Sequence, residues 1–149
     1  MPKITLPDNS VRQYDNPITA YQVAQDISSG LAKDIIVAEI DGKLVDISTP
    51  INSDATFRAI TAKDQEGLEV IRHSTAHLMA QAVKQLYPDA QVTIGPVIED
   101  GFYYDFYYPE GFSEKDFAQI EERMAEIISK KHDIEREVVS YDDALSFFE

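Results

Sequence analysis

The chain has 149 residues, 44% of them hydrophobic, and no cysteine, so it can form one medium domain or two small ones with neither a disulfide framework nor a thiolate for metal binding or attack. Its formal net charge is −14, which repels a phosphate backbone on average and restricts any RNA contact to a local patch or to residues outside this chain. The start, Met1-Pro2-Lys3-Ile4-Thr5, has no signal-type apolar core, and no apolar run approaches the roughly 20 residues that span a bilayer; with the missing thiols, this leads us to expect a soluble, cytoplasmic protein.

In chain order, Lys3 to Leu6 and Val11 to Tyr14 are expected strands, joined as a hairpin by the turn residues Pro7-Asp8-Asn9-Ser10. Thr19 is placed to cap a short helix from Ala20 to about Ser28, with Val23, Ala24 and Ile27 inward and Gly30 as its stop. A second hairpin pairs Ile35–Ile40 with Lys43–Asp46 through Asp41-Gly42, a type I′ signal. Pro50 to Asp54 is an expected loop and Thr56 to Thr61 a last strand. The order ββαββ…β over about 60 residues is that of a β-grasp, ubiquitin-like domain, in which one helix covers one face of a sheet.

Lys63 to Gly67 is polar and marks a boundary, so that residues 1–62 and 63–149 form two units in an α+β chain. The first carries five Lys/Arg and eight Asp/Glu, net −3, and the second eight and nineteen, net −11. A long helix is expected from about Gln65 to Leu86, with Asp64 at its N-cap and Tyr87-Pro88 at its end. Residues 91–108 are strand-like and aromatic, punctuated by Gly95-Pro96 and Asp100-Gly101. Ser113 caps a further helix, from Glu114 to about Lys131, with Phe117, Ile120, Met124, Ile127 and Ile128 at helical spacing. Val138-Val139 is an expected strand, and Ser140 or Asp142 opens a short helix in which the chain stops at Phe147-Phe148-Glu149, an ending that suggests a truncated domain.

The main chemical signal is His73-Ser74-Thr75-Ala76-His77. Residues four apart are neighbours on one helix face. At about 100° per residue, Leu68, Ile71, Thr75, Leu78, Met79, Ala82 and Leu86 form an apolar stripe, and His73 and His77 fall nearly opposite it, beside Val70, Ala80, Gln81 and Lys84. Spacing leaves two readings: solvated surface histidines, or a paired-imidazole site for metal binding or for acid–base work near neutral pH. Ser74 stands where a zinc protease needs Glu, and two histidines are too few for a structural zinc. His132, in the charged run Lys130-Lys131-His132-Asp133, reads as a surface residue.

In the segment Gly95 to Asp105, alternation puts Phe102 and Tyr104 on one strand face and Tyr103 on the other. Phe102 and Phe106 read as core, whereas Tyr103 and Tyr104, with apolar bodies and hydroxyl tips, can also wall a pocket.

Four segments together carry a resemblance: Ile4-Thr5-Leu6-Pro7-Asp8, Asp41-Gly42-Lys43-Leu44-Val45-Asp46, Glu66 through Arg72-His73-Ser74-Thr75-Ala76-His77, and Ile94-Gly95-Pro96 through Gly101-Phe102-Tyr103-Tyr104-Asp105. Over its whole length the chain resembles the N-terminal region of the bacterial threonyl-tRNA synthetase family. The resemblance implies a β-grasp (TGS) domain over 1–62 without established chemistry of its own, followed by the first part of an editing domain that hydrolyses seryl-tRNA(Thr). It implies His73 and His77 as the editing pair, with Tyr104 and Tyr103 lining the substrate pocket. The family completes that cleft with a downstream Cys-x-x-x-His pair, which has no counterpart in a chain without cysteine. The resemblance further implies partners beyond this chain: the acceptor end of tRNA(Thr), threonine, and a ligase core that uses ATP, magnesium and zinc and forms the homodimer. The fragment itself is then expected to hold no cofactor or metal and to be inactive alone. Three rivals are an alanyl-type trans-editing hydrolase, which should lack a preceding β-grasp domain, a β-grasp binding module without catalysis, and a metal-binding protein, for which the ligands are too few.

Overall fold

The computed structural model describes residues 1–132, 134 and 137–148. Strands β1 (Lys3–Thr5) and β2 (Val11–Gln13) form the expected first hairpin, with Lys3 opposite Gln13. Its turn is closed by the Asn9 N–H donating to the Leu6 carbonyl and by Ser10 donating to the Asp8 carboxylate. A two-residue strand β3 (Ile18–Thr19) leads into α1 (Ala20–Ile27). Thr19 caps α1 as its sequence predicts, its hydroxyl accepting from the Gln22 N–H while the Gln22 side chain accepts from the Thr19 N–H.

The stop lies elsewhere than expected. Ser28, extended at φ −165°, ends α1 and caps a second helix, α2 (Ser29–Asp34), so Gly30 sits inside a helix. Ser28 Oγ accepts from the Leu31 N–H, which lets one residue serve both helices. Then β4 (Ile35–Ile40) turns through Asp41 (φ 49°) and Gly42 (φ 77°) into β5 (Lys43–Val45). Two successive positive φ values make this the type I′ turn that the Asp-Gly pair predicts. The expected loop at 50–54 begins with a short strand, β6 (Pro50–Ile51), paired with β3. Finally β7 (Ala55–Thr61) enters the middle of the sheet.

The sheet order is β2-β1-β7-β4-β5, with β7 parallel to β1 and antiparallel to β4. The last strand is therefore central, and Ile60 on it is fully buried. The core joins Ile4, Leu6, Ile35, Ala38 and Phe57 of the sheet side to Ala20, Val23 and Ala24 of α1, with Ile27 packed on its margin. This is the β-grasp arrangement expected from the element order.

At one corner Tyr14 donates its hydroxyl to Asp26, which also accepts from Arg12 at 2.6 Å. Burial, and then this hydrogen bond, push the Tyr14 hydroxyl up to about 12. A tyrosine that stays neutral to higher pH in the fold than in the unfolded chain, where it titrates at about 10, stabilises the fold fully below the lower value. That stability is lost as pH rises through the higher one. Tyr14→Phe is expected to flatten this alkaline decline, read as urea midpoints at intervals between pH 9 and 12.

The helix α3 (Gln65–Leu86) follows β7 almost at once. Asp64 stands at its N-cap position, but its carboxylate accepts from the Thr61 N–H and hydroxyl rather than from α3. Arg58 of β7 pairs with Glu39 of β4 at 2.9 Å and with Glu66 of α3 at 2.6 Å, tying sheet to helix. Beyond α3, residues 91–107 form two small antiparallel pairs, β8 (Gln91–Val92) with β11 (Phe106–Tyr107) and β9 (Val97–Ile98) with β10 (Gly101–Phe102). The helix α4 (Glu114–Ser129) packs on α3 and ends two residues before the expected Lys131. The Asp116 carboxylate accepts from the Ser113 N–H and hydroxyl and from the Tyr87 hydroxyl, joining the end of α3 to the start of α4. Those bonds, the Ser113 N–H first, hold its carboxyl below the usual range.

The expected strand at Val138-Val139 does not form; both residues are exposed and unpaired in any sheet. The last helix, α5 (Tyr141–Phe148), starts after Ser140, whose hydroxyl accepts from the Asp143 N–H. None of the residues of α4 or α5 is fully buried. Among the described residues no helix is long and apolar enough to cross a membrane.

Candidate functional site

The site is built on α3, and its burial corrects the expected face. The fully covered residues of α3 are Gly67, Ala76, Ala80, Ala82 and Val83. Of the predicted apolar stripe, Ala82 is buried, Ile71 is 38% exposed, and the rest are half-buried. Ala76, Ala80 and Val83 lie within about 80° of His73 around the helix. Small side chains let neighbouring backbone come close, so α3 is tightly packed beside the histidines, at Ala76, Ala80 and Val83, as well as away from them, at Gly67 and Ala82. With α4 and the small strands both against it, α3 has no single inward side.

His73 and His77 are both exposed and meet through their Nε2 atoms at 2.9 Å, with ring centroids 4.6 Å apart. At that distance one ring donates its Nε2–H and the other accepts. The helical spacing thus produces a directly bonded imidazole pair. Arg72, beside His73 in sequence, turns to the other ribbon and donates Nη1 to the Glu99 carbonyl at 2.7 Å. That bond fastens the β9–β10 turn to α3; neither its partner nor its role was readable from the Arg-His dipeptide.

Tyr104 reaches the pair. Its ring stands edge-on to His77 at 6.5 Å between centroids and stacks on Phe106 at 5.0 Å. Tyr103, one residue earlier, is 48% exposed, in keeping with strand alternation, and lies outside the cavities that Tyr104 and His77 line. Phe102 and Phe106, expected as core, are half-buried and wall an open apolar cavity of about 420 Å³ with Met79, Val83 and Tyr104.

A second cleft, of about 430 Å³, holds His77 with Ser74, Gln81, Ile127, Lys131 and His132. His132 is exposed, as its charged surroundings predict, yet it opens onto the same cleft as His77. Only the packing of α4 across α3 creates that neighbourhood. His77 and Tyr104 therefore line different hollows and touch across the ridge between them.

Among the described residues no group of three or more His, Cys, Asp or Glu side chains gathers to hold a metal ion. Among the described residues no thiolate or carboxylate joins the two imidazoles, and such a pair can hydrogen-bond and transfer protons.

Residues 2–61 match the TGS domain family. The chain is similar to the threonine--tRNA ligase of Nitrosococcus oceani, 55% identical over 99% of this chain, and to those of Saccharophagus degradans, 57%, and Burkholderia ambifaria, 56%, over the same share. In each case the chain spans 23% of the relative's length.

Proposed function

Taking as premise that residues 2–61 belong to the TGS domain family and that the whole chain matches the N-terminal region of threonine--tRNA ligases, we propose that it supplies the first part of a hydrolytic site acting on seryl-tRNA(Thr). The TGS unit covers 1–62 and the hydrolytic unit begins at 63. The observation that carries this reading is the bonded pair His73–His77, with Tyr104 beside it. Imidazole is the side chain best suited to moving a proton near neutral pH.

In the proposed reaction a water attacks the carbonyl carbon of the seryl ester. A new C–O bond forms, the ester C–O bond to the terminal ribose breaks, and the ribose oxygen leaves. One imidazole takes the water's proton and the pair returns a proton to the ribose oxygen. The other imidazole hydrogen-bonds the ribose, and Tyr104 walls the amino-acid pocket. Such a step answers a physical limit. Serine lacks one methyl of threonine, which a synthetic pocket discriminates by only about 1–3 kcal/mol.

Ligation of threonine to tRNA(Thr) with ATP, the magnesium and zinc this uses, and homodimerisation belong in this reading to residues outside the 149. The remaining groups of the hydrolytic site lie there as well, so the 149 residues alone neither charge nor edit tRNA. The test is deacylation by the complete gene product. It is expected to hydrolyse seryl-tRNA(Thr) in preference to threonyl-tRNA(Thr); equal or absent hydrolysis of the two would overturn the reading.

A further inference from the structure

We infer that Gly95 is a positioning residue for the histidine site, acting through the ring of Tyr104. The backbone shows how the two are brought face to face. Asp105 N–H donates to the Ile94 carbonyl at 2.8 Å, Thr93 N–H to the Asp105 carbonyl at 3.1 Å, and Tyr103 N–H to the Pro96 carbonyl at 3.3 Å. Bonds on both sides of it leave Gly95 opposite Tyr104.

A Cβ built on Gly95 would overlap Tyr104, 2.5 Å from Cε2 and 2.7 Å from Cγ, with Cδ2 closer still. The three nearest atoms all belong to that ring. The clash includes Cγ, at the root of the ring, so moving the hydroxyl end does not relieve it.

Glycine is not needed here for its backbone freedom. The glycines with positive φ are Gly42, Gly101 and Gly111, and a Cβ on any of them would meet nothing within 4 Å. Gly95 is outside that set, so what an L side chain meets first there is the Tyr104 ring and not backbone strain.

Tyr104 in turn is flanked on two sides and borders the open apolar cavity on another. Phe106 stacks on it at 5.0 Å and His77 stands at 6.5 Å. A methyl at 95 pushes the ring towards these neighbours or into the open cavity beside it. Either movement changes what stands beside His77.

The inference uses the hydrolytic reading above only for its activity measurement, so the experiment has two arms. The first is the crystal structure of the complete gene product with Gly95→Ala. The Tyr104 ring is expected to be displaced from its place beside His77, and an unmoved ring would overturn the inference. The second arm is a double-mutant cycle on seryl-tRNA(Thr) deacylation. Gly95→Ala is expected to lower kcat/KM by up to about 10²-fold, the scale of a misplacement of 1 Å in a site. In a Tyr104→Ala background, where the clash is gone, the same substitution is expected to cost less than about twofold. A full further loss in that background would mean that Gly95 acts on folding and not through Tyr104, and would also overturn the inference. If His73→Ala and His77→Ala leave deacylation unchanged, the hydrolytic reading fails, and the first arm still decides the role of Gly95.

Discussion

His77→Ala is expected to slow hydrolysis of seryl-tRNA(Thr) by the complete gene product about 10²–10⁴-fold, the range for losing a positioned acid–base group. His77 is the stronger test of the pair because it meets both His73 and Tyr104. It bonds His73 at 2.9 Å, meets Tyr104 edge-on, and lines the cleft shared with Ser74, Lys131 and His132. His73→Ala leaves His77 in that cleft without its hydrogen-bond partner. A smaller loss is expected there, carried mainly by KM if His73 holds the ribose and mainly by kcat if it orients the base. His132→Ala serves as the comparison. His132 shares the cleft but does not join the bonded pair, so a change of less than about tenfold is expected. Retention of hydrolysis within twofold by both His73→Ala and His77→Ala would remove the histidines from the mechanism.

Gly67→Ala is expected to destabilise the fold by about 1–3 kcal/mol, the cost of forcing a methyl into filled space. Helix propensity alone predicts the opposite, a gain of about 1 kcal/mol for alanine over glycine inside a helix. The local geometry decides between them. A Cβ on Gly67 would overlap the Thr61 carbonyl oxygen, with the carbonyl carbon at 2.8 Å and a methyl of Ile60 at 3.3 Å. Two of those three atoms are backbone at the end of the central strand, so no rotamer change makes room. The helix must lift from the sheet, and that lengthens the Arg58–Glu66 pair, now 2.6 Å. Gly30→Ala is the matched control. Gly30 lies inside α2, and its nearest neighbour to a new Cβ is Ser28 Oγ at 3.8 Å. There the propensity gain of up to about 1 kcal/mol should appear unopposed. Urea midpoints measure both substitutions, and a raised midpoint for Gly67→Ala would refute the proposed close approach.

The same contrast runs through the whole molecule. Features set by residues near one another in the chain came out as their chemistry predicts. The Thr19–Gln22 capping box, the Asp41-Gly42 turn, the first hairpin and the pairing of His73 with His77 each rest on bonds spanning four residues or a single turn. The departures came where a local signal met a second local cap, a distant partner, or no partner at all. Gly30 carries a stop signal, but Ser28 caps both neighbouring helices. Pro50-Ile51 reads as loop, but β3 lies alongside and pairs with it. The β-branched pair Val138-Val139 has strand propensity but finds no partner strand.

What the amino-acid order determined by itself was the succession of the longer helices and strands, the Thr19 cap and the Asp41-Gly42 turn, the β-grasp class of the first third, and two imidazoles on one helical face. Tertiary structure alone decided that β7 runs between β1 and β4, that α3 is covered beside its histidines as well as opposite them, that His132 shares a cleft with His77, and that Gly95 lies under Tyr104. The physical reason is range. Capping, turn and i,i+4 interactions are complete within a few residues, whereas burial and close approach depend on which distant surface arrives. On a helix packed from several sides, hydrophobic periodicity does not say which surface arrives closest.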